Sequence, residues 1–303
     1  MAKLKKMVSA VGSIKDLNSA RAEFDDASRI LPDEAIFPPD DIRPGTTEAR
    51  SLLLRITHPG QAHETTSQGD TFAIIHIPEA NDFAAVMTLN PSARIESGLT
   101  FAAIADEGGG QVIVAMVEDI LGVRIDHVAE LESAALGQVI TELGGLPVYS
   151  RAEFSAGGTD FIEGTNHLTA DTAGIFTTAD PIDDAGQTRT RNQRAALRAL
   201  IQALKTSGLA KDPNKGATVL GHFASGIHHD AGLTTLELGK IANTLRQLES
   251  DDTAVVTIPT TSRREDDGTV IIDFDAEAMP ALKDALTGKD LPDFFRYLVS
   301  LGY

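Results

Sequence analysis

The 303-residue chain contains no cysteine, which removes disulfide frameworks, thiol nucleophiles and thiolate metal sites together. Aromatic residues make up only 5% of it, so a core must be packed by Ala, Val, Leu and Ile, as in layered α/β proteins. Basic residues are scarce: 26 Lys and Arg stand against 44 Asp and Glu, a formal charge of −18. A surface this acidic cannot replace the counterions of DNA or RNA, and it disfavours adsorption to anionic lipid by charge alone. Nucleic acid is therefore not an expected partner. Basic character can exist only locally, and Arg189, Arg191 and Arg194 are its densest group.

No run of about 18 apolar residues occurs, so no segment reads as a bilayer span. The opening MAKLKKMVSAVGSI starts basic, but its apolar part is too short and broken for a signal peptide. There is no internal repeat and no Gly-x-Ser-x-Gly nucleophile elbow. Gly108-Gly109-Gly110 precedes a helical pattern without a Walker lysine, and reads as a flexible loop. His228-His229-Asp230, with His222 nearby, lacks an i, i+4 ligand pair and reads as a polar loop rather than a metal site.

What is present is a strong alternation of elements in the middle of the chain. Val112, Met116 and Ile120 run beside Ile113, Val117 and Leu121 as one helical face, and Gly122 supplies a left-handed stop. Residues 124–131 predict a strand. Leu136, Val139, Ile140 and Leu143 predict a second helix ended by Gly144-Gly145, and Leu146-Pro147-Val148-Tyr149 begins the next strand. An α-β-α-β run of this kind predicts a three-layer αβα domain with a mixed central sheet and helices on both faces.

Around that core the chain divides into four parts. Residues 1–31 carry a helix over 15–31 whose apolar seam is narrow, so it is expected to lie on the domain and to be dispensable. Residues 32–48, rich in proline and acids, predict an extended linker without regular structure. Residues 49–262 form the α/β domain, with strands over 51–57, 70–77 and 84–89, a Gly-rich hairpin over 155–164 and a helix over 193–205. Residues 263–303 close the chain as a hairpin strand and short helices packed on the domain; strands over 255–258 and 269–274 are expected to pair around Asp267-Gly268.

The phrases DILGVRIDHVAELE and ALGQVITELGGLPV, together with 161–168 (FIEGTNHL) and 69–77 (GDTFAIIHI), resemble the LytR–CpsA–Psr family in order and spacing over about residues 49–262. The resemblance implies an extracytoplasmic cell-envelope protein held by an N-terminal membrane helix, which this chain does not contain. It implies a phosphotransferase that moves a polyprenyl-pyrophosphate-linked glycopolymer onto peptidoglycan or another wall polymer, with Mg2+ and arginines gripping the diphosphate. Guanidinium forks match phosphate oxygens in pairs, and phosphoryl transfer is mostly positioning and charge stabilisation.

Carried over position by position, the resemblance makes Asp70 the metal-side carboxylate. The family's S-x-P-R-D phrase falls on 89–93, where only Pro91 is kept and Ser92 and Ala93 have lost the charges; Arg94 stands two places on as a substitute. Its R-x-R pair falls on Thr178 and Asp180, inverting one charge. Its D-x-x-R-x-x-R-Q falls on Gly186, Arg189, Asn192 and Gln193, so Arg189 and Gln193 are kept, while Arg191 and Arg194 flank the lost arginine. On a helix those two point roughly 100° and roughly 160° away from it. The implied site is thus Asp70 and Arg189 for chemistry and metal, with Arg94, Arg189, Arg191 and Gln193 for the ligand. Three readings stay open: a working transferase, a catalytically weak relative that binds the polyprenyl lipid or glycan, and a scaffold whose groove has closed.

Overall fold

The computed structural model describes residues 15–26, 30–58, 67–95, 98–181, 184–288 and 290–303. Its centre is a seven-stranded mixed sheet built from β1 (Ile30–Leu31), β2 (Arg50–Thr57), β3 (Thr71–Ile77), β4 (Ala84–Leu89), β6 (His127–Glu132), β11 (Ile227–Asp230) and β12 (Thr253–Thr257), in the order β1-β11-β6-β2-β3-β4-β12. The pairs β1–β11, β6–β2 and β4–β12 are parallel, and the other three antiparallel. Every residue of β4 is buried, as expected for a strand covered on both faces. β5 (Ala93–Arg94) pairs with β14 (Val270–Phe274), which also pairs with β13 (Thr260–Arg264). Two small ribbons, β7 (Leu146–Ser150) with β10 (Gly164–Leu168) and β8 (Phe154–Ala156) with β9 (Thr159–Phe161), complete the strands.

The helices are α1 (residues 15–24), α2 (Asp33–Ile36), α3 (Phe101–Leu121), α4 (Ser133–Leu143), α5 (Ala170–Thr178), α6 (Gln187–Thr206), α7 (Pro213–Ser225), α8 (Thr235–Gln247), α9 (Ala278–Thr287) and α10 (Leu291–Leu301). On one face of the sheet, Leu53, Phe72, Ile74 and Met87 pack against α3, α9 and α10. On the other, Leu52, Ile56, Ala73, Val86 and Val255 pack against α4, α6, α7 and α8. This is the α/β architecture with helices on both faces that the periodicity predicts. Left-handed glycines Gly122 and Gly144 end α3 and α4, as read from the sequence.

Several expectations are corrected. α1 ends by residue 24, and residues 30–31 add an edge strand to the main sheet instead of continuing a helix. Phe24 is fully buried, its ring 4.5 Å from that of His229, so the N-terminal helix contributes to the core. Residues 228–230 are strand rather than loop, because His229 is buried under Phe24 with Nε2 bonded to the Phe24 carbonyl at 2.7 Å. The stretch 32–48 is not structureless: it holds α2 and a 3-10 turn, Asp40–Ile42. Gly108 to Gly110 lie inside α3, where Gly109 (φ 68°) makes a kink and Gly110 lets the helix approach Ala35 and Ile36. The hairpin around Asp267-Gly268 pairs 260–264 with 270–274, because the buried run Ala254–Val256 belongs to the central sheet.

Candidate functional site

The site is assembled at the start of α6. Asp184 caps the helix, its Oδ2 accepting from the Thr188 backbone N–H at 3.0 Å and the Thr188 hydroxyl at 2.7 Å. Ala185 (φ 53°) and Gly186 (φ 79°) are both left-handed, and a Cβ on Gly186 would lie 2.4 Å from Arg189 Nη2. Only glycine lets the Arg189 guanidinium fold against this turn. Residues Arg189, Gln193, Leu197 and Ile201 recur every four positions, so a single helix face passes from polar to apolar.

Arg189 is 1% exposed; its Nη1 donates to Asp180 Oδ2 at 3.1 Å. Burial pulls its pKa down, and the carboxylates of Asp180 and Asp184 oppose that pull. One turn on, Gln193 Nε2 donates to the Asp70 carbonyl at 3.4 Å and to the Thr177 carbonyl at 3.2 Å. These bonds bring Asp70, Arg189 and Gln193 to one end of the sheet. The Asp70 carboxylate, however, is engaged by Arg55, whose Nε and Nη2 lie at 2.7 and 2.6 Å, and by the His58 N–H at 3.2 Å. Burial still pushes the Asp70 carboxyl above its ordinary range, against the Arg55 charge. Arg55 also reaches Ser67 Oγ at 3.1 Å, and Ser67 donates to Asp106 Oδ1 through its N–H at 3.0 Å and its hydroxyl at 2.5 Å.

Asn90, just past the end of β4, closes the site: its Nδ2 donates to the Ala185 carbonyl at 3.3 Å, while its Oδ1 accepts from the Ser92 N–H at 2.9 Å. Around this junction Ser92 Oγ, Asp184 Oδ1, Arg189 Nε and Nη2, and Gln193 Oε1 are buried without a protein partner. Buried polar groups are almost always satisfied, so five unpartnered atoms in one place mark a small polar recess suited to a ligand or water.

Beyond Gln193 the same helix face borders an apolar seam. Leu54 and Ile75 sit on central strands, yet they keep partial exposure, as do Leu136, Ile201, Phe223 and Leu238 on the covering helices. α8 is seated lightly over this region, with Ile241 its one fully buried residue. The seam is lined by side chains from β2, β3, α4, α6, α7 and α8. A cavity of about 540 Å³ lined by Asp33, Phe37, Arg43, Arg124 and Asp126 opens at the other end of β2.

Not every residue expected at the site is there. Arg94 donates from Nε to Asp273 Oδ1 at 3.1 Å, because β5 pairs with β14 and carries the side chain to the C-terminal hairpin. Arg191 is exposed, on the side of α6 opposite Arg189. Thr178 and Asn192, at positions where the resemblance expects arginine, are buried and bond the Gly174 and Phe176 carbonyls. Arg55, Ser67 and Asp106 were missed by sequence reasoning; a charge in the apolar strand SLLLRI was the one available signal for Arg55. The residues do not fit Mg2+ as arranged. Arg55 and the His58 N–H occupy both oxygens of Asp70, and no group of three His, Asp or Glu suited to a metal occurs among the described residues.

Residues 57–288 match the model of the LytR_cpsA_psr family. The chain is 36% identical over 98 residues to the polyisoprenyl-teichoic acid–peptidoglycan teichoic acid transferase TagU of Bacillus mycoides (strain KBAB4), covering 31% of this chain and 32% of that protein. TagU of Bacillus anthracis (strain A0248) is 34% identical over 98 residues, with the same coverage. The chain thus spans about a third of the length of the curated relatives it matches. Among solved structures, Bacillus subtilis TagV superposes with a TM-score of 0.64 at 17% identity, covering 79% of this chain and 96% of that one. A LytR-Csp2A-Psr enzyme from Actinomyces oris gives 0.60 at 16%, covering 82% and 95%. TagT bound to LI-WTA gives 0.58 at 17%, covering 79% and 89%. At such identities the likeness is one of fold alone.

Proposed function

We propose, from the premise that this chain belongs to the LytR_cpsA_psr family, that it binds a polyprenyl-linked wall glycopolymer in the cell envelope without the cation set that phosphoryl transfer needs. The observation that carries this reading is the face of α6 running Arg189, Gln193, Leu197, Ile201 from a buried polar recess into a partly open apolar seam. That sequence of environments matches an amphiphile with a polar head and a long hydrocarbon tail. Burial of the tail contributes about 25 cal/mol per Å² and needs no arginine.

The head is served less well. The Arg189 charge is matched by Asp180, with Asp184 close enough to act on it, so a diphosphate meets no net positive charge there. Each charge-assisted hydrogen bond contributes on the order of 1.5–3 kcal/mol, and Arg94, Thr178 and Asn192 supply none to this recess. Affinity is therefore expected to rise with tail length, change little with Mg2+ and depend weakly on salt. The test is titration with polyprenyl phosphate and polyprenyl pyrophosphate of several lengths, with and without Mg2+. Leu136→Trp, which fills the seam, is expected to abolish binding, and Arg189→Ala to weaken it modestly.

A transferase reading is favoured by one specific observation. Arg189 Nε and Nη2 and the Ser92 hydroxyl have no protein partner, and those are donors an anionic oxygen would take. A strong Mg2+-dependent preference for pyrophosphate, lost in Arg189→Ala, would replace the binding reading with the enzyme.

A further inference from the structure

The outer side of α6 differs from the inner one. Arg191, Arg194 and Arg198 recur at steps of three and four, off the Arg189–Gln193 face; Arg191 and Arg198 are exposed, Arg194 is buried, and Arg198 Nη2 donates to the Val255 carbonyl at 2.7 Å. Arg151, just past the end of β7, joins them: its Nη2 donates to the Gly302 carbonyl at 3.3 Å, and Arg194 Nη2 donates to the same oxygen at 3.1 Å. One acceptor shared by two guanidinium groups brings those two arginines side by side. Burial, and then the neighbouring charges of Arg151, Arg198 and Arg191, pull the Arg194 pKa down to about 10, which still leaves it cationic at neutral pH.

Among the described residues none of the four forms an ion pair, nor do the separate Arg21 and Arg246, whereas Arg43, Arg50, Arg55, Arg94, Arg124, Arg189, Arg263 and Arg296 do; only these four cluster. The charges that act on Arg194 and Arg198 are all arginine. In a chain of net charge −18 four clustered arginines are a local exception: the Gly302 and Val255 carbonyls take bonds from Arg151, Arg194 and Arg198 but leave their charge unneutralised. Mutual repulsion costs stability, and a polyanion would relieve it. Beside the cluster Tyr149 is 62% exposed; it shares the solvent-facing alternation of β7 with Pro147, and Arg151 continues it. A flat ring next to cations suits a sugar next to an anionic group.

We infer that the exposed Arg151, Arg191 and Arg198, with Tyr149 and with the buried Arg194 adding its charge from beneath, form a docking site for a phosphodiester-bearing wall glycan, on the exposed side of the helix whose other face meets the polar recess. The inference deepens the proposed function by placing the polymer's repeating phosphates, and it rests on that reading only for the identity of the polymer. Each phosphate contact releases condensed counterions, so binding weakens as salt rises. The opposite charge elsewhere on the surface is screened beyond about 8 Å at physiological ionic strength.

The experiment is titration of the full chain with isolated poly(glycerol phosphate) teichoic acid, with neutral dextran as control, at about 50 mM and about 200 mM salt. Wild type is expected to bind the phosphate polymer and not dextran, with affinity falling at least tenfold at the higher salt. The exposed pair Arg151→Ala/Arg191→Glu is expected to lower affinity tenfold or more and flatten the salt dependence, while Arg191→Lys keeps it. Polyprenyl phosphate binding should be unchanged in both. Equal binding by the double variant, or equal binding of dextran, overturns the inference. Loss of lipid binding in Leu136→Trp with polymer binding intact separates the two sites. Polymer binding by a wild-type chain that binds no polyprenyl phosphate leaves this inference standing and removes the proposed function.

Discussion

Arg43 and Arg189 both bury their side chains, and they live differently. Arg43 lies near the end of β2 remote from the recess, its side chain 5% exposed. Its Nε and Nη2 reach Glu118 at 3.0 and 2.7 Å, Nη2 also donates to the Ile125 carbonyl at 2.6 Å, and its guanidinium carbon sits 4.8 Å from the centre of the Phe37 ring. Glu118 in turn accepts from the Ile125 N–H at 2.9 Å. Arg189, 1% exposed, has one bond to a half-exposed Asp180, and leaves Nε and Nη2 without partners. The first is a joint between the N-terminal segment, α3 and the approach to β6; the second is held ready for something outside the chain. Equal burial thus conceals opposite roles, and the hydrogen-bond census tells them apart.

The largest effect follows from removing one partner of the satisfied pair. Arg43→Ala leaves Glu118 charged and buried, and is expected to cost about 3–5 kcal/mol in urea denaturation. Arg189→Met removes unpartnered donors and keeps the stem, so its cost should stay within about 1 kcal/mol. A loss in Arg189→Met as large as in Arg43→Ala would erase the distinction.

A buried histidine extends the comparison to pH. His76 is 1% exposed, with Nδ1 bonded to Ser51 Oγ at 2.9 Å, and burial lowers its pKa to about 4 from an ordinary 6.5. The unfolded chain therefore binds the proton first. The stability from neutral His76 is complete above pH 6.5 and is lost as pH falls toward 4, by about 3 kcal/mol. Thermal melts of wild type and His76→Gln across that window check it: the variant's profile should be flatter, and parallel profiles would assign the acid loss elsewhere.

Smaller effects sharpen the reading of the recess. Asp180→Asn removes the bonded counter-charge of Arg189, and should raise polyprenyl pyrophosphate affinity about tenfold, the equivalent of about 1.4 kcal/mol. No change would mean that Asp184 alone sets the field there. Ala185→Gly relieves a left-handed backbone at a residue with a Cβ, and is expected to stabilise by about 1 kcal/mol in the same denaturation assay. A loss of stability there would mean that the Ala185 conformation carries no strain.

The centre of the fold was legible because its signals are local. Apolar spacing of three and four, with glycine at the end, specifies α3 and α4 wherever they pack, and the intervening strand follows. β1 and β11 were not legible. Two residues of β1 and the polar phrase His228-His229-Asp230 become strand only because Phe24, some 200 positions away in sequence, covers His229. The site divides in the same way. Arg189 and Gln193 share a helix face and so could be paired on paper, whereas the Arg55–Asp70 pairing depends on β2 meeting β3 in register. Arg94 failed for the converse reason: a parallel pairing with β14, set by residues near 272, takes it to Asp273.

α8 has a further consequence for how anything enters the seam. Its first turn is tied to the turn that follows α1 by Asp25, which accepts from the Thr235 N–H at 2.8 Å and the Thr235 hydroxyl at 2.9 Å. Just past its last turn, the Leu248 carbonyl accepts from Lys205 Nζ at 2.7 Å. Between these moorings only Ile241 is fully buried, so the helix is a beam fixed at both ends and loosely bedded along its span. Amides in the middle of α8 should exchange with deuterium through low-energy local opening, well before those of α3 or β4. An occupant beneath the beam would tighten its bed and slow that exchange, making α8 the part of the molecule that reports from a distance whether the seam is filled.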